Sequence, residues 1–198
     1  MKSENQIMRR FTFTEVAAVA GISTGTMTQW ARRGKLVMRD DDRADLGKGV
    51  ERSLSLQTTI QAIIMAELSR RGVGLDTASN AAMKFAHTGD ADRNPGGLFH
   101  GGSTILAAND FGPVRHRLFV MREDESMADF EAKLHPLTES NFGCTYVNVS
   151  EVLIRAYAAL HLDYGSLLDR MHADPEKKDE SAERPRSTTS KPRNRGGE

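Results

Sequence analysis

The chain has 198 residues, 38% hydrophobic and 27% charged, and its formal net charge is zero. That length supports one or two small domains, and the composition fits a globular protein with a polar appendix. A single cysteine, Cys144, excludes an intramolecular disulfide and a cysteine-rich zinc site. No apolar run approaches a membrane span and the first residues lack the apolar core of a signal peptide, so a reducing cytoplasm is the expected location.

The distribution of charge says more than its sum. Residues 1–36 carry six cations (Lys2, Arg9, Arg10, Arg32, Arg33 and Lys35) against Glu4 and Glu15. Residues 113–171 carry six basic against nine acidic groups. A basic head and an acidic body suit a protein that presents one face to phosphate.

Residues 11–36, FTFTEVAAVAGISTGTMTQWARRGKL, predict two short helices joined by a tight turn. Thr14 is the expected N-cap of the first, since its hydroxyl can accept from an orphan backbone N–H. Val16, Ala17, Val19 and Ala20 supply the apolar stripe, with Ala17 at the helix crossing. Gly21 offers the left-handed conformation that ends a helix without a Cβ clash, and Ile22 plugs the turn. Ser23 is expected to cap a second helix that runs to Arg33 and stops at Gly34. A helix pair around a glycine turn is a helix-turn-helix pattern.

The second helix divides into two faces. Met27 and Trp30 are three apart and point inward. Thr24, Gly25, Thr28, Gln29 and Arg32 are left outside. Gln can pair bidentately with adenine and Arg with guanine. Arg33 and Lys35, at the helix end, are expected to reach the phosphate backbone, and Thr14 is counted with the DNA-contacting set. An ordinary surface helix pair with a solvated face is the competing reading.

After Leu36 comes VMRDDDRADLGKGVERSLS, then LQTTIQAIIMAELSRRGVGLDTASNAAMKFA. Leu36–Met38 and Val50–Leu54 are expected to be the arms of a β-wing with residues 40–49 as its tip. Ser55 caps a third helix with Ile60, Ile63, Ile64 and Leu68 as its buried stripe. Arg70–Leu75 is a turn, and Asp76 is the expected cap of a fourth helix ending near Ala86. This order of helix, helix, wing, helix, "R-x-G-V-x-L", helix resembles the MerR superfamily of winged helix-turn-helix DNA-binding proteins over about residues 11–86. The resemblance implies that the second helix enters the major groove while the wing touches the flanking backbone. It assigns base or phosphate contact to Thr24, Thr28, Gln29 and Arg32, and wing contact to Arg39, Arg43, Lys48 and Arg52.

The chain departs from that pattern at three places. Typical members have an Arg followed by paired aromatics in the recognition helix, where this chain reads Thr28, Gln29 and Trp30. That is nearer the looser MerR-like domains of excisionases and small terminase subunits. Asp40, Asp41, Asp42 and Asp45 in the wing repel phosphate, so the tip is expected to turn away from DNA or else to be a plain solvated turn; calcium-loop spacing is missing. Members that sense ligands continue into a long dimerising helix, whereas His87–Gly102 is rich in Gly, Asp, Asn and Pro.

The second half predicts a ββαβα unit. Ser103–Ala108 and Arg117–Arg122 read as strands around the turn at residues 109–113. Ser126 caps a helix over Met127–Leu134, with Met127, Phe130 and Leu134 on one face and Pro136 as its stop. Cys144–Val149 is a third strand. Ser150 and Glu151 open a last helix with Val152, Ile154, Ala158 and Leu160 apolar. From about His172 the chain is too polar to offset ordering entropy and is expected to be disordered. Its basic end (Arg184, Arg186, Lys191, Arg193, Arg195) either adds non-specific DNA affinity or merely solubilises.

The expected organisation is therefore α+β: an arm over 1–10, a MerR-like winged helix-turn-helix over 11–86, a linker over 87–102, a dimerisation or partner unit over 103–171, and a disordered tail over 172–198. No catalytic constellation, cofactor motif or metal site stands out. The six histidines, at 87, 100, 116, 135, 161 and 172, lack metal-binding spacing, and there is no Walker-type loop. Met65, Met83 and Met171 are expected in the core. Two functions remain: a homodimeric, sequence-specific regulator of double-stranded DNA that contacts RNA polymerase, or a phage or mobile-element architectural protein working with a recombinase or packaging ATPase. A protein-binding role for the helical head is the third possibility.

Overall fold

The computed structural model describes residues 9–39, 42, 53–89, 93–108, 116–138, 145–163 and 165. They form an α+β fold with six helices and two small antiparallel sheets. The order is β1 (Phe11–Thr12), α1 (Phe13–Ala20), α2 (Thr24–Arg32), β2 (Ser53–Leu54), α3 (Leu56–Arg70), α4 (Leu75–His87), β3 (Ser103–Ala108), β4 (Arg117–Met121), α5 (Met127–Thr138), β5 (Thr145–Asn148) and α6 (Val149–Ala159).

The first helix starts two residues earlier than its pattern suggested. Its N-cap is Thr12, not Thr14: Thr12 Oγ1 accepts from the Glu15 amide at 3.1 Å, and Glu15 Oε2 accepts from the Thr12 amide at 2.8 Å. This reciprocal box needs an acid three residues after the cap, which Thr12 has and Thr14 lacks. Gly21 closes the helix at φ +64°, and the Ile22 amide donates to the Ala17 carbonyl.

The two-arm wing is not formed as expected. Leu36–Met38 makes no strand; Leu36 is buried and the Val37 amide donates to the Gln61 side chain. Ser53–Leu54 pairs instead with Phe11–Thr12, ahead of α1. The loop tip, with Asp40, Asp41 and Asp45, lies outside the described residues. Asp42 is no solvated turn residue. Its carboxylate is buried, accepting from the Ser55 amide, from the Thr58 hydroxyl at 2.9 Å and from the Arg39 amide at 2.8 Å. One side chain thus joins the chain before the loop to the α3 N-terminus after it, where helix amides and dipole favour an anion.

Helix α3 is capped by Ser55, as its sequence suggests, but it is far more buried than an amphipathic stripe. Every residue from Thr58 to Ala66 is buried, and so is Leu68. Helices α1, α4 and α6 and strand β5 all pack against it. Helix α4 begins at Leu75 behind Gly74, so Asp76 is not its cap; it lies in the first turn. There its carboxylate sees the positive helix end and pairs with the Lys35 ammonium.

Between α4 and β3, Arg93, Gly96, Gly97 and Leu98 are buried. Arg93 is buried and donates to the carbonyls of Phe85 (2.9 Å) and Thr88, at the end of α4, and of Asn94 (3.1 Å) and Gly97 (3.3 Å). Its guanidinium lies 4.9 Å from the Phe85 ring centre and 5.9 Å from that of Phe99. A planar cation with five donors suits this role, since it can satisfy several carbonyls and stack on aromatics together.

The ββαβα order is present. Strand β3 is central, with Leu106 opposite Leu118 on β4 and Val147 on β5. Leu106 and Val147 join the core around α3, together with Val152, Leu153, Ala156 and Tyr157 of α6. Ile105 and Ala107 face the other way and pack with Phe130 of α5. Helix α5 continues through Pro136 to Thr138, because a proline in the last turn removes one bond without forcing the chain to stop there. Helix α6 opens one residue early, capped by Asn148 accepting from the Glu151 amide at 3.2 Å. Ser150 Oγ instead receives the Thr104 amide at 2.9 Å. With Val149, Val152, Leu153 and Ala156 inside, the 3.6-residue period turns Ile154 (48% exposed) and Ala158 outward. Met83 likewise faces out at 37%, whereas Met65 is buried. Cys144, Met171 and the stretch from His172 onward lie outside the described residues, and among the described residues no helix is long and apolar enough to cross a membrane.

Asp42→Ala is expected to lower unfolding free energy by about 3 kcal/mol, because it strands the donors of Arg39, Ser55 and Thr58. Chemical denaturation measures this, and Asp42→Asn, which keeps one of the two accepting oxygens, is expected to cost less than alanine.

Candidate nucleic-acid interface

Helix α2 is fixed from behind. Met27 and Trp30 are buried beneath it, and α1 packs beside it. Ser23 caps its start, accepting from the Thr26 amide at 3.0 Å. Gly34, at φ +65°, turns the chain away after Arg33, and the Lys35 amide returns to the Trp30 carbonyl at 2.9 Å. With its apolar side held, the opposite side has no freedom to roll inward.

Thr24, Gly25, Gln29, Arg32 and Arg33 are exposed on that opposite side. Positions 25, 29 and 32 fall on one stripe by the i, i+4, i+7 rule, with 33 beside them. Thr28 is half-buried and its hydroxyl donates back to the Thr24 carbonyl at 2.9 Å. Its oxygen remains an acceptor and its donor faces the helix. Thr14 is exposed on α1, away from this stripe in sequence and element. Lys35 is half-buried and its ammonium is paired with Asp76. Arg39 is exposed beyond the helix end, its amide held by Asp42. Arg43, Lys48 and Arg52 lie outside the described residues. The structure therefore gathers Thr24, Gln29, Arg32 and Arg33, while Lys35 serves an internal contact. A hollow of about 450 Å³ adjoins the cluster, lined by Arg33, Lys35 and residues 74–77.

Two cations of the basic head are tied into the fold. Arg9 donates to the Leu160 carbonyl at 2.7 Å and lies 5.1 Å from the Phe11 ring centre. Arg10 donates to Ser53 Oγ at 3.1 Å. The sequence-level charge asymmetry thus overstates what the outer face of α2 carries.

The segment leaving α2 is held by groups that no sequence motif marked. Gln61, buried in α3, accepts from the Val37 amide at 2.9 Å and donates to the Lys35 carbonyl at 3.1 Å. Ser79 donates to the same carbonyl. His87 Nε2 lies 3.1 Å from Gln61 Oε1; that oxygen can only accept, so Nε2 carries the proton. An amide inside the apolar run IQAIIMAEL is the one hint the sequence offered. Burial lowers the His87 pKa below its ordinary value, and the Arg39 charge pushes the same way against the opposing carboxylate of Asp42. The outgoing strap is therefore pinned by the Gln61 amide and the Ser79 hydroxyl, with the His87 imidazole bonded to Gln61 behind them.

No protein-family model matches this chain, and no curated protein matches it in sequence.

With the folded-state pKa of His87 below the ordinary 6.5, the unfolded chain binds more protons in the window between the two values. Stability is accordingly expected to rise as pH increases through that window and to level off above about 6.5. Thermal melts across that range read the effect, and His87→Gln is expected to flatten the slope.

Proposed function

We propose that this protein is a sequence-specific regulator that binds double-stranded DNA, with α2 lying in the major groove. The observation that carries the reading is the outer stripe of α2. It presents an amide and a guanidinium, Gln29 and Arg32, on a helix whose other side is buried. These are the side chains that pair bidentately with adenine and guanine edges. Thr24 and Arg33 flank them at positions suited to backbone phosphate.

The order of elements supports the reading. Helices α1 and α2 meet at a glycine turn, as in a helix-turn-helix, and α3 and α4 follow in the order the MerR resemblance implies. Strand β2, paired with β1 rather than with residues 36–38, marks a variant of that architecture. Arg39 would sit toward flanking phosphate, with Arg43, Lys48 and Arg52 following in sequence. Lys35 is left out of the contact set, and Thr14 becomes a flanking contact at most. Binding as a homodimer to a two-fold site would multiply the affinity of two half-sites, with residues 103–163 as the partner-facing unit. The reading calls for no cofactor, metal or catalytic group, and DNA in the cytoplasm is where it would act.

The test is selection of genome fragments on purified protein, followed by titration of the enriched duplex at several salt concentrations. A two-fold enriched site near promoters is the expected result. Enrichment at a recombination or packaging site would replace the regulator by an architectural protein, and no enrichment would overturn DNA reading altogether. On the enriched duplex, Gln29→Ala is expected to lose about 1–3 kcal/mol of base discrimination. Arg32→Ala is expected to relax the guanine preference at its own position at a similar cost, with the salt slope little changed. Both variants binding like the parent would remove α2 from the groove.

A further inference from the structure

Gly25 has no reason within the fold to be glycine. It lies in the first turn of α2, its φ is not in the left-handed region, and a Cβ built there meets only Ser23 Oγ, at 3.6 Å. That is ordinary van der Waals contact. Gly21 and Gly34 differ: each has φ near +65°, which a side chain would strain. Gly102 differs too, because its Cβ would stand 2.3 Å from the Met121 carbonyl oxygen. At position 25 alanine would fit and would favour the helix, so glycine there is a local cost.

A residue that costs stability and relieves no internal contact points to an external one. Glycine serves where a ligand must come close to backbone. Gly25 shares its stripe with Gln29 and Arg32, one turn and two turns further along, and all three are exposed. Resting on the DNA-binding reading above, we infer that Gly25 is the clearance position of that surface: the missing side chain lets the first turn of α2 lie against the DNA strand at backbone distance. The depth of the helix in the groove then follows from this contact. Gln29 and Arg32 are long enough to reach base edges only if that depth is preserved.

The proposal separates stability from binding in opposite directions, which a structural role for glycine would not do. The experiment measures melting temperature and affinity for the enriched duplex in the parent, Gly25→Ala and Gly25→Val. Gly25→Ala is expected to melt about 2 °C higher, as for any glycine replaced in a helix with room for a methyl. Affinity is expected to fall about tenfold for Gly25→Ala and further for Gly25→Val, the scale of overpacking a close contact by one or more carbons. Variants that bind as tightly as the parent would overturn the inference while leaving the DNA reading intact. A parent that enriches no duplex fails the reading itself, and the inference falls with it. A lower melting temperature for Gly25→Ala would also overturn it, since the glycine would then serve the fold.

Discussion

The burial of α3 on almost every side is the constraint from which the rest of this structure follows. A helix with one apolar stripe needs one partner, whereas a helix buried from Thr58 to Ala66 needs neighbours all round. Helices α1, α4 and α6 and strand β5 supply them. As a result, apolar side chains of the N-terminal helices and of the C-terminal sheet belong to one buried cluster. Polar groups in such an environment are costly to leave unpaired, because an unpaired buried donor or acceptor costs more than a typical hydrogen bond contributes. Gln61 meets this demand by binding the Lys35–Val37 backbone, and Thr58 does so by binding Asp42 and the Val37 carbonyl. The chain that leaves α2 is therefore anchored to the most buried element of the molecule.

This anchoring explains why the outer face of α2 is a defined surface. Met27 and Trp30 fix its rotation from below. Gln61 and Ser79 fix the segment that follows it, and His87 holds the Gln61 side chain. What remains outside is short, polar and basic, and the positions are set by groups whose own placement is rigid. A nucleic-acid reader needs this arrangement, because bidentate base contacts tolerate little positional error. The pairing of Lys35 with Asp76 has the same effect: a cation just after α2 joins that helix to the start of α4.

Much of the local architecture was legible in the sequence. Ser23 and Ser55 cap helices, Gly21 takes a left-handed turn, Met27 and Trp30 face inward, and strands occur at 103–108 and 117–121. These are properties of neighbouring residues, and hydrogen bonds over three or four positions decide them. Errors arose where two local signals competed or a partner lay far away. Thr14 resembled a cap, but only Thr12 has an acid three residues on. Asp42 resembled a turn residue, and its partners Ser55 and Thr58 are 13 and 16 residues away. Arg9 counted as free charge until the fold brought the Leu160 carbonyl to it from 151 positions along.

The sequence by itself thus determined the helices, half of their caps, the ββαβα order of the second half and the inward side of α2, because periodicity and capping act within a few residues. Only the tertiary structure decided that Ser53–Leu54 pairs with the chain before α1, that Asp42 is buried against Ser55 and Thr58, and that Lys35 pairs with Asp76 at the start of α4. It alone made Gly25 informative, by leaving space around a residue whose absent side chain the fold does not require. The physical reason is the same in each case. Strand pairing, the satisfaction of buried polar groups and the space around a side chain depend on residues brought together from distant parts of the chain, and no local pattern encodes which ones will meet.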